Sequence, residues 1–401
     1  MSVLESGAAV YYDPYDTDID TDPYDIWRQL RDDAPVYRND KYDFYALSRF
    51  DDVEEASRDP KTFSSAHGTV LEIMSTGKMN HPMMIFMDPP DHTRLRSLVS
   101  RAFTPRRMSV LEDRIRELCA VFLDAQSGSD GFDYVQDFGA RLPALVIASL
   151  LGVPIEDQDH IRELIDTTFY LDPEKGMVND ISLTAQIELN VYLAAQMEER
   201  KANPRDDMFT DLVQAEIKED DGTVRRLTDE ELPAFGNLLI SAGTETVARL
   251  LGWAAVVLAA NPDQRAELAA DPGLMPNAIE ELLRFEAPSP VQGRWTTEDV
   301  TLHDTVIPAE SKVLLLTGSA GRDERKYENA DSFDVRRRFD HHVSFGFGVH
   351  FCLGAALARL EGRIGLEETF ARAPRFTSDR ANAVQWHTST VRGWWSVPVL
   401  S

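Results

Sequence analysis

A long apolar helical pattern dominates this 401-residue sequence and limits the folds that it can adopt. It follows the capping-box sequence Thr228-Asp229-Glu230-Glu231, runs from Leu232 to Ala260 and stops at Asn261-Pro262. At about 1.5 Å per residue, a helix of roughly thirty residues is about 45 Å long. Such a helix crosses a whole domain, so we expect the other helices to pack around it.

Polar residues interrupt this pattern at its centre, in Ser241-Ala242-Gly243-Thr244-Glu245-Thr246. A helix-interior glycine costs about 1 kcal/mol relative to alanine, and a buried carboxylate costs more unless it is paired. Local violations of this kind are expected at functional sites. Oxygen activation needs room for dioxygen, a hydroxyl that can hydrogen-bond to it and a carboxyl that can relay protons. The space beside Gly243, the hydroxyl of Thr246 and the carboxyl of Glu245 would meet these three needs. Alternatively, Thr246 bonds the carbonyl of Ala242 and bends the helix, and both readings can hold.

The segment from Phe345 to Glu361 places Cys352 between a glycine-rich turn and a run of helix formers. A sulfur near a helix N-terminus is favoured as the thiolate. One Cys without a second Cys or a His at zinc spacing cannot close a tetrahedral metal site, but it can be the axial ligand of a haem. The alternative is a buried, inert Cys.

Composition restricts the class of protein. Lys and Arg total 41 against 68 Asp and Glu, and the net charge of −27 argues against binding nucleic acid or an anionic membrane. Only Cys119 and Cys352 are present, which indicates a reducing compartment. The longest apolar stretches, 142–153 and 250–260, are shorter than the ~20 residues of a membrane span. With no linker visible, we expect one cytoplasmic domain over residues 1–401.

The remaining patterns predict mostly helices. They cover residues 23–32, 108–125, 142–151, 156–169, 183–201, 263–270 and 277–285, with short strands near 43–48 and 300–316. The C-terminal segment 386–399 predicts a strand pair whose turn, Ser389 to Val391, reaches toward a cavity. Residues 67–90 hold five methionines, Met74, Met79, Met83, Met84 and Met87, which either form a deformable apolar wall over a ligand or fill core gaps.

A basic segment follows at residues 88–107. His92 and Arg96 at i and i+4 share a helix face and could grip a carboxylate. Its arginines, which include Arg94, Arg101, Arg106 and Arg107, reverse the overall charge locally, although charge runs are often only solvated faces. Further on, Glu281 and Arg284 at i and i+3 can form an ion pair.

These motifs carry a specific resemblance. The pattern Phe345-x-x-Gly348-x-His350-x-Cys352-x-Gly354 resembles the haem-binding signature of the cytochrome P-450 family in its soluble bacterial form. Ala242 to Thr246 resembles the family's Ala-Gly-x-Asp/Glu-Thr motif. Glu281-x-x-Arg284 resembles its structural ion pair, which Arg337 would complete. The family usually has Asn where this chain has Gly321, and Pro where it has Phe339. Both differences lie in a connecting segment and concern its local geometry, not the chemistry.

The resemblance implies a mainly α fold with small β-sheets, the triangular single-domain cytochrome P-450 fold with a long central helix. It implies haem b, with Cys352 as the iron ligand, Glu245 as proton relay and Thr246 as the oxygen contact. The other haem-binding residues that it implies are His92, Arg96, Arg294 and His350 at the propionates, together with Ala242, Phe345, Gly346 and Gly354.

The implied activity is monooxygenation. We expect hydroxylation of a lipophilic molecule such as a steroid, a terpenoid or a fatty-acyl chain, by a monomer that takes electrons from a separate ferredoxin or flavodoxin docked at Arg94, Arg101, Arg106 and Arg107. Oxidative tailoring of a secondary metabolite such as a polyketide is an alternative. Two others are a peroxide-driven haem enzyme and a non-catalytic haem sensor or electron carrier.

Overall fold

The computed structural model describes residues 10–74, 77–79, 81–100, 105–170, 172, 176, 178–219 and 221–400, with the backbone alone for 99–100 and 105–110. Helices predominate in these residues. The α-helices are α1 Thr17–Thr21, α2 Tyr24–Asp33, α3 Phe50–Arg58, α4 Asp91–Ser100, α5 Pro105–Asp124, α6 Arg141–Leu151, α7 Gln158–Thr168, α8 Asp180–Ala202, α9 Met208–Gln214, α10 Glu231–Ala260, α11 Pro262–Ala270, α12 Met275–Phe285, α13 Thr317–Ala320 and α14 Ala355–Arg372.

The strands are short and form small sheets at the side of the helices. They are β1 Val36–Asn39, β2 Phe44–Leu47, β3 Phe63–Ser64, β4 Gly131–Asp133, β5 Glu216–Lys218, β6 Val224–Arg226, β7 Gln292–Thr296, β8 Val300–Leu302, β9 Thr305–Ile307, β10 Lys312–Leu315, β11 Thr377–Ser378, β12 Val384–His387, β13 Arg392–Ser396 and β14 Pro398–Leu400. The largest sheet has the order β1-β2-β10-β7-β3, in which β10 runs parallel to β2 and antiparallel to β7.

Helix α10 is the centre of the core, as its length predicts. It packs against α6, α8, α14 and β13, and most of its side chains are buried. By length and composition α10 could cross a membrane, but 78% of its most apolar window is buried inside the protein. The predicted capping box forms, with the Thr228 hydroxyl accepting from the amide of Glu231 at 3.1 Å while the Glu231 carboxylate accepts from the amide of Thr228 at 2.8 Å.

Most predicted helices form within a few residues of their predicted ends. The pattern at residues 183–201 underestimates α8, because Asn179, four residues before Leu183, caps the helix through bonds from the amides of Ile181 and Ser182. The hairpin β5–β6 was not predicted, because its three-residue strands carry charged side chains that mask the alternation.

A buried ion pair fixes the segment that leads to the Cys352 loop. Arg284 and Glu281 on α12 are both fully buried, and their side chains bond at 2.7 Å. Arg337 adds a second guanidinium to Glu281 at 3.0 Å, as predicted. Arg284 also donates to the carbonyls of Gly321 and Ala330, so α12 holds the chain between α13 and the loop in place.

Candidate active site

The loop around Cys352 is built by glycines that adopt left-handed backbone conformations. Gly346 and Gly348 have φ values of +67° and +69°, which side chains rarely tolerate. Gly348 also passes so close to α3 that a Cβ would lie 2.6 Å from the carbonyl oxygen of Ser57. The amide of Cys352 donates to the carbonyl of Phe345 at 2.8 Å, which closes the turn and holds the sulfur ahead of α14.

Burial and the loop act in opposite directions on the pKa of the Cys352 thiol, which lines the cavity. Burial raises the pKa of the thiol and outweighs the opposing effects of the Gly354 amide and the Arg96 charge, so the net shift is upward. The helix N-terminus acts in the predicted direction but is too weak to prevail over desolvation. A bound metal cation would reverse the balance, because coordination deprotonates a thiol.

Cationic and donor side chains meet above the loop without an acidic partner in the described residues. His92 and His350 lie with their rings 4.1 Å apart, and the Nδ1 of His92 and the Nε2 of His350 are buried without a hydrogen-bond partner. Arg294 is buried and donates only to its own neighbour, the Gly293 carbonyl. Burial lowers the pKa of Arg294 to about 10. Such a cluster requires an anionic ligand.

Burial also lowers the pKa of the two histidines and of Arg96, and at His92 the charge of Asp88 opposes the shift without reversing it. Burial, followed by the charge of Arg96, lowers the pKa of His92 to about 4. Burial, followed by Arg294, lowers the pKa of His350 to about 2. Arg96 donates to the carbonyl of Phe351 at 2.5 Å, which ties the cationic cluster to the Cys352 loop.

Helix α10 forms the opposite wall. Ala242, Gly243 and Thr246 face the cavity, and the Thr246 hydroxyl donates to the Ala242 carbonyl at 3.0 Å, which is the helix-bending alternative. Gly243 leaves room in the cavity and also allows α10 to pack closely on α6, because a Cβ at this position would lie 3.3 Å from the Ile147 side chain. Glu245 lines the cavity but is tied to Arg249 in a buried ion pair of 2.5 Å.

One cavity of about 380 Å³ collects the predicted residues. His92, Arg96, Ala242, Glu245, Thr246, Arg294, Phe345, His350, Cys352 and Gly354 all line it. Gly346 is not part of the lining and shapes the loop from behind. The predicted turn of residues 389–391 does reach the cavity, through Thr390 and Val391. A Cβ at Gly354 would meet no protein atom within 4 Å, so this position leaves space for a bound group.

The methionine wall forms only in part. Met84 lines the cavity, whereas Met74 is fully buried beside Gly293 and fills a core gap. Met79 and Met87 line a separate surface groove. The sequence clusters these residues, but the irregular backbone between them turns their side chains in different directions.

The predicted docking arginines divide into two groups. Arg94 is engaged, because it pairs with Glu219 of β5–β6 at 2.9 Å and with Asp91 on its own helix. Arg101 lies outside the described residues, and so do the side chains of Arg106 and Arg107.

Three charged residues of this region had no predicted role. Arg249, one turn after Glu245, is buried and donates to the Trp394 carbonyl. Asp166 on α7 is half-buried near this pair. Glu361 on α14 lines the cavity, and burial raises its pKa well above the usual range. The i, i+4 spacing of Glu245 and Arg249 was a visible signal. Asp166 and Glu361 gave none, because their settings depend on tertiary packing.

Comparison with known proteins identifies the fold and the class. The Cytochrome P450 family profile matches residues 39–271 and 273–372. Cytochrome P450 130 of Mycobacterium tuberculosis is 39% identical over 387 residues, 94% of each chain. Vitamin D(3) 25-hydroxylase of Pseudonocardia autotrophica is 38% identical over 357 residues, 88% of this chain and 86% of the relative.

Solved structures agree. A mutant of P450 EryK in complex with erythromycin B superposes with a TM-score of 0.86 at 34% identity, over 95% of this chain and 96% of that one. CYP109E1 from Bacillus megaterium in complex with corticosterone gives 0.84 at 30% identity, over 96% and 99%.

The chain therefore belongs to the cytochrome P450 family, whose members are monooxygenases that use haem b. The residues present fit that cofactor. Its two propionates are the anions that the cluster of Arg294, His92 and His350 lacks, and the free space at Gly354 and the cavity-facing sulfur of Cys352 match a flat ring with an axial thiolate.

Proposed function

We propose that this chain hydroxylates a lipophilic small molecule of the steroid or sterol, terpenoid or fatty-acyl type. The observation that carries the proposal is the composition of the cavity wall. Away from the cationic cluster its side chains are mainly aliphatic or aromatic, and include Val70, Met84, Ile85, Phe169, Leu238, Leu239, Val291 and Val391. Apart from the carboxyl groups of Glu245 and Glu361, the polar groups of this wall are hydroxyls and one amide, contributed by Thr69, Ser241, Thr246, Ser289, Gln292, Ser344 and Thr390.

The charges of the cavity disfavour an anionic substrate. Among the described lining residues the only guanidinium groups are those of Arg96 and Arg294, and both lie in the cluster that we assign to the propionates. No further cation lines this cavity in the described part of the chain to bind a substrate carboxylate. Burial of apolar surface therefore supplies the affinity, and the hydroxyl and amide groups orient the molecule.

Each wall has its own role in this proposal. Cys352 holds the iron, and Arg96, Arg294, His92 and His350 bind the propionates, while Ala242, Phe345 and Gly354 contact the ring and Gly346 shapes the loop. Haem b with a thiolate ligand supplies the activation of dioxygen. Thr246 offers its hydroxyl on the opposite side, and Glu245 delivers protons toward that hydroxyl once it leaves Arg249.

The proposed electron donor is a separate protein. We retain a ferredoxin or flavodoxin, because none of the described sequence forms a second cofactor domain. An acidic donor needs a local basic surface on a protein of net charge −27. Arg101, Arg106 and Arg107 stay candidates, whereas Arg94 already carries two acidic partners.

Known relatives support the substrate class without fixing it. The structure of CYP109E1 with testosterone and the name of the vitamin D(3) hydroxylase point to steroid-like molecules. The EryK complex with erythromycin B favours the second candidate, oxidative tailoring of a polyketide.

We further propose that residues 1–401 form one domain and act as a cytoplasmic monomer.

The rival functions make different demands on Glu245 and Thr246. A peroxide-driven enzyme needs no proton relay, whereas this chain places a carboxylate and a hydroxyl next to one another on α10. A haem electron carrier usually has a second axial protein ligand. The described lining of α10 contains no His, Cys or Met. Both observations favour a monooxygenase.

Ligand titrations of the haem-loaded protein test the substrate class. We expect testosterone and long-chain fatty alcohols to shift the Soret band, and benzoate to have no effect. Val291→Trp, which fills the cavity, should weaken testosterone binding about ten-fold or more, because an overpacked wall excludes the ligand. Val306→Trp, on an exposed position of β9, is the control. A band shift by benzoate but not by the lipophilic ligands would contradict the proposal.

A further inference from the structure

A network of three polar side chains connects α8 to the cavity wall. Asn190 on α8 accepts a hydrogen bond at 2.9 Å from the side-chain Nδ2 of Asn237 on α10. The Oδ1 atom of the same Asn237 side chain accepts at 3.2 Å from the hydroxyl of Ser241, one helical turn further on. Asn237 is only 2% exposed, whereas Ser241 lines the cavity. The network therefore begins on α8 and ends at a hydroxyl in the cavity wall.

Asn237 occupies a position where an apolar residue would be expected. Its neighbours on α10, which include Phe235, Leu239 and Ile240, are buried and apolar. A buried amide destabilises the fold unless its polar atoms are hydrogen-bonded, and Asn is a poorer helix former than Leu or Ala. The bond to Asn190 is enough to join the two helices. The bond from Ser241 adds nothing to that connection, and such a local violation of the apolar pattern points to a function.

The directions of these bonds determine what Ser241 offers to the cavity. A serine hydroxyl has one hydrogen to donate and two lone pairs that can accept. The Nδ2 atom of Asn237 donates to Asn190, so the Oδ1 atom is the one that meets Ser241 and takes its hydrogen. Ser241 accepts no hydrogen bond from the described residues. Its oxygen is therefore a hydrogen-bond acceptor on the cavity side and has no hydrogen left to donate there.

The residues around Ser241 leave this acceptor to a ligand. Leu238 and Leu239 line the cavity beside it and offer apolar surface. Thr246 donates its own hydroxyl to the Ala242 carbonyl at 3.0 Å. A ligand hydroxyl that enters this apolar part of the cavity needs an acceptor, because an unpaired buried donor is costly. A ligand carbonyl at the same place would meet the lone pairs of Ser241 and gain no hydrogen bond.

We propose that Ser241, oriented by Asn237 and Asn190, determines substrate specificity by accepting a hydrogen bond from a hydroxyl group of the substrate. This inference rests on the proposed function and narrows it, since it selects an alcohol over a ketone of the same lipophilic skeleton. Apolar contacts supply the affinity for both ligands, and the network discriminates between them.

A matched pair of steroids tests the proposal without turnover. Androstanediol and androstanedione share one skeleton and carry hydroxyls or carbonyls at both ends, so the result does not depend on which end reaches Ser241. Equilibrium dialysis of the haem-loaded protein gives both dissociation constants, and the readout is the ratio of the dione value to the diol value. Comparing this ratio between variants cancels the different hydration of the two steroids.

We expect Ser241→Ala to lower the ratio about five-fold or more, because the acceptor for the diol is gone. Asn237→Leu should also lower it, because the freed Ser241 hydroxyl can then donate to the dione. Thr244→Val is the control. It removes another hydroxyl from α10, which is 1% exposed, bonds the Ile240 carbonyl and lies outside the cavity lining, so the ratio should not change.

Three results would overturn the role of Ser241. A ratio in Ser241→Ala equal to that of the wild type, with both steroids bound, contradicts this inference and leaves the lipophilic substrate class intact. A ratio that rises in Ser241→Ala would mean that Ser241 donates to the ligand. A wild type that binds neither steroid contradicts the proposed substrate class together with this inference. If Asn237→Leu folds poorly, Ser241→Ala decides alone, because it keeps the bond between Asn237 and Asn190.

Discussion

Arg294 shows most clearly that single side chains in this protein are arranged for an anionic partner. A buried guanidinium without an acid destabilises the chain that carries it, and charge-assisted bonds to a propionate remove that cost. The same reasoning explains the partnerless ring nitrogens of His92 and His350. We therefore expect these residues to lower the stability of the apoprotein and to raise that of the haem-loaded protein.

We predict that Arg294→Met weakens haem binding by about ten- to one hundred-fold, because a hydrogen bond to a charged group contributes about 1.5–3 kcal/mol. The apoprotein should unfold at the same temperature or a higher one, because the buried unpaired charge is gone. Haem titration and thermal unfolding measure the two effects, with Arg226→Met on an exposed position of β6 as the control. An apoprotein that loses stability together with haem affinity would contradict this account.

Short sequence motifs were enough to predict which residues meet at the cavity. Cys352, Gly354, Thr246 and His350 could be located because their spacing alone defines the loop and the helix. Asp166 and Glu361 could not, since their burial depends on how α7 and α14 pack in the folded chain. The upward shift of the Cys352 pKa also required the structure, because burial competes with a helix terminus that is visible in sequence.

Helix α12 links the catalytic loop to the core through buried charges. Removing one partner of a buried ion pair costs about 3–5 kcal/mol, because the other charge stays buried and unpaired. We predict that Arg284→Ala lowers the midpoint of thermal unfolding strongly, because the Glu281 carboxylate would lose this partner while it stays buried. Arg114→Ala, which breaks an exposed i, i+3 pair with Glu117 on α5, should change stability by at most about 0.5 kcal/mol. Equal effects of the two variants in thermal unfolding would refute the structural role of α12.

A second ion pair makes the junction between α12 and α14 sensitive to acid. Burial alone would raise the pKa of Glu280, but hydrogen bonds from His342 and Arg359 outweigh it and lower the pKa to about 2. The folded-state value is below the unfolded one, so this stabilisation is complete above about pH 5 and is lost as pH falls toward 2.

We predict that Glu280→Gln lowers stability at pH 7 and flattens the pH dependence of unfolding between about pH 5 and pH 2. Urea unfolding of the wild type and the variant at a series of pH values measures the difference. Asp25→Asn, which alters an exposed carboxylate on α2, is the control. A wild type and a Glu280→Gln variant that lose stability in parallel below pH 5 would exclude Glu280 as the titrating group.

Elements were easier to predict than their contacts. The apolar period placed α10 to within one residue at each end, because a central helix is apolar over most of its surface and is closed by a capping box and a proline. Short strands such as β1 and β3 left weaker signals, since each contributes only two to four residues to a sheet assembled from distant parts of the chain.

At the scale of the whole molecule, the proposed acidic electron donor would have to bind to a protein that is itself strongly acidic. We predict that Arg106→Glu with Arg107→Glu raises the donor concentration needed for half-maximal turnover about ten-fold, and that salt reduces the difference. Arg205→Glu with Arg226→Glu makes the same charge change away from this surface, on the segment between α8 and α9 and on β6. Steady-state kinetics with ferredoxin at several salt concentrations measure the effect, and equal values for all three proteins would place the docking surface elsewhere.

All these effects presuppose that the sulfur of Cys352 binds the haem iron. The most direct measurement is the absorption spectrum of the reduced protein under carbon monoxide. The wild type should give the long-wavelength Soret band of thiolate-ligated haem, and Cys352→Ser should lose that band even where it keeps some haem. A Cys352→Ser protein that retains the band, or a wild type that binds haem and never shows it, would contradict the account.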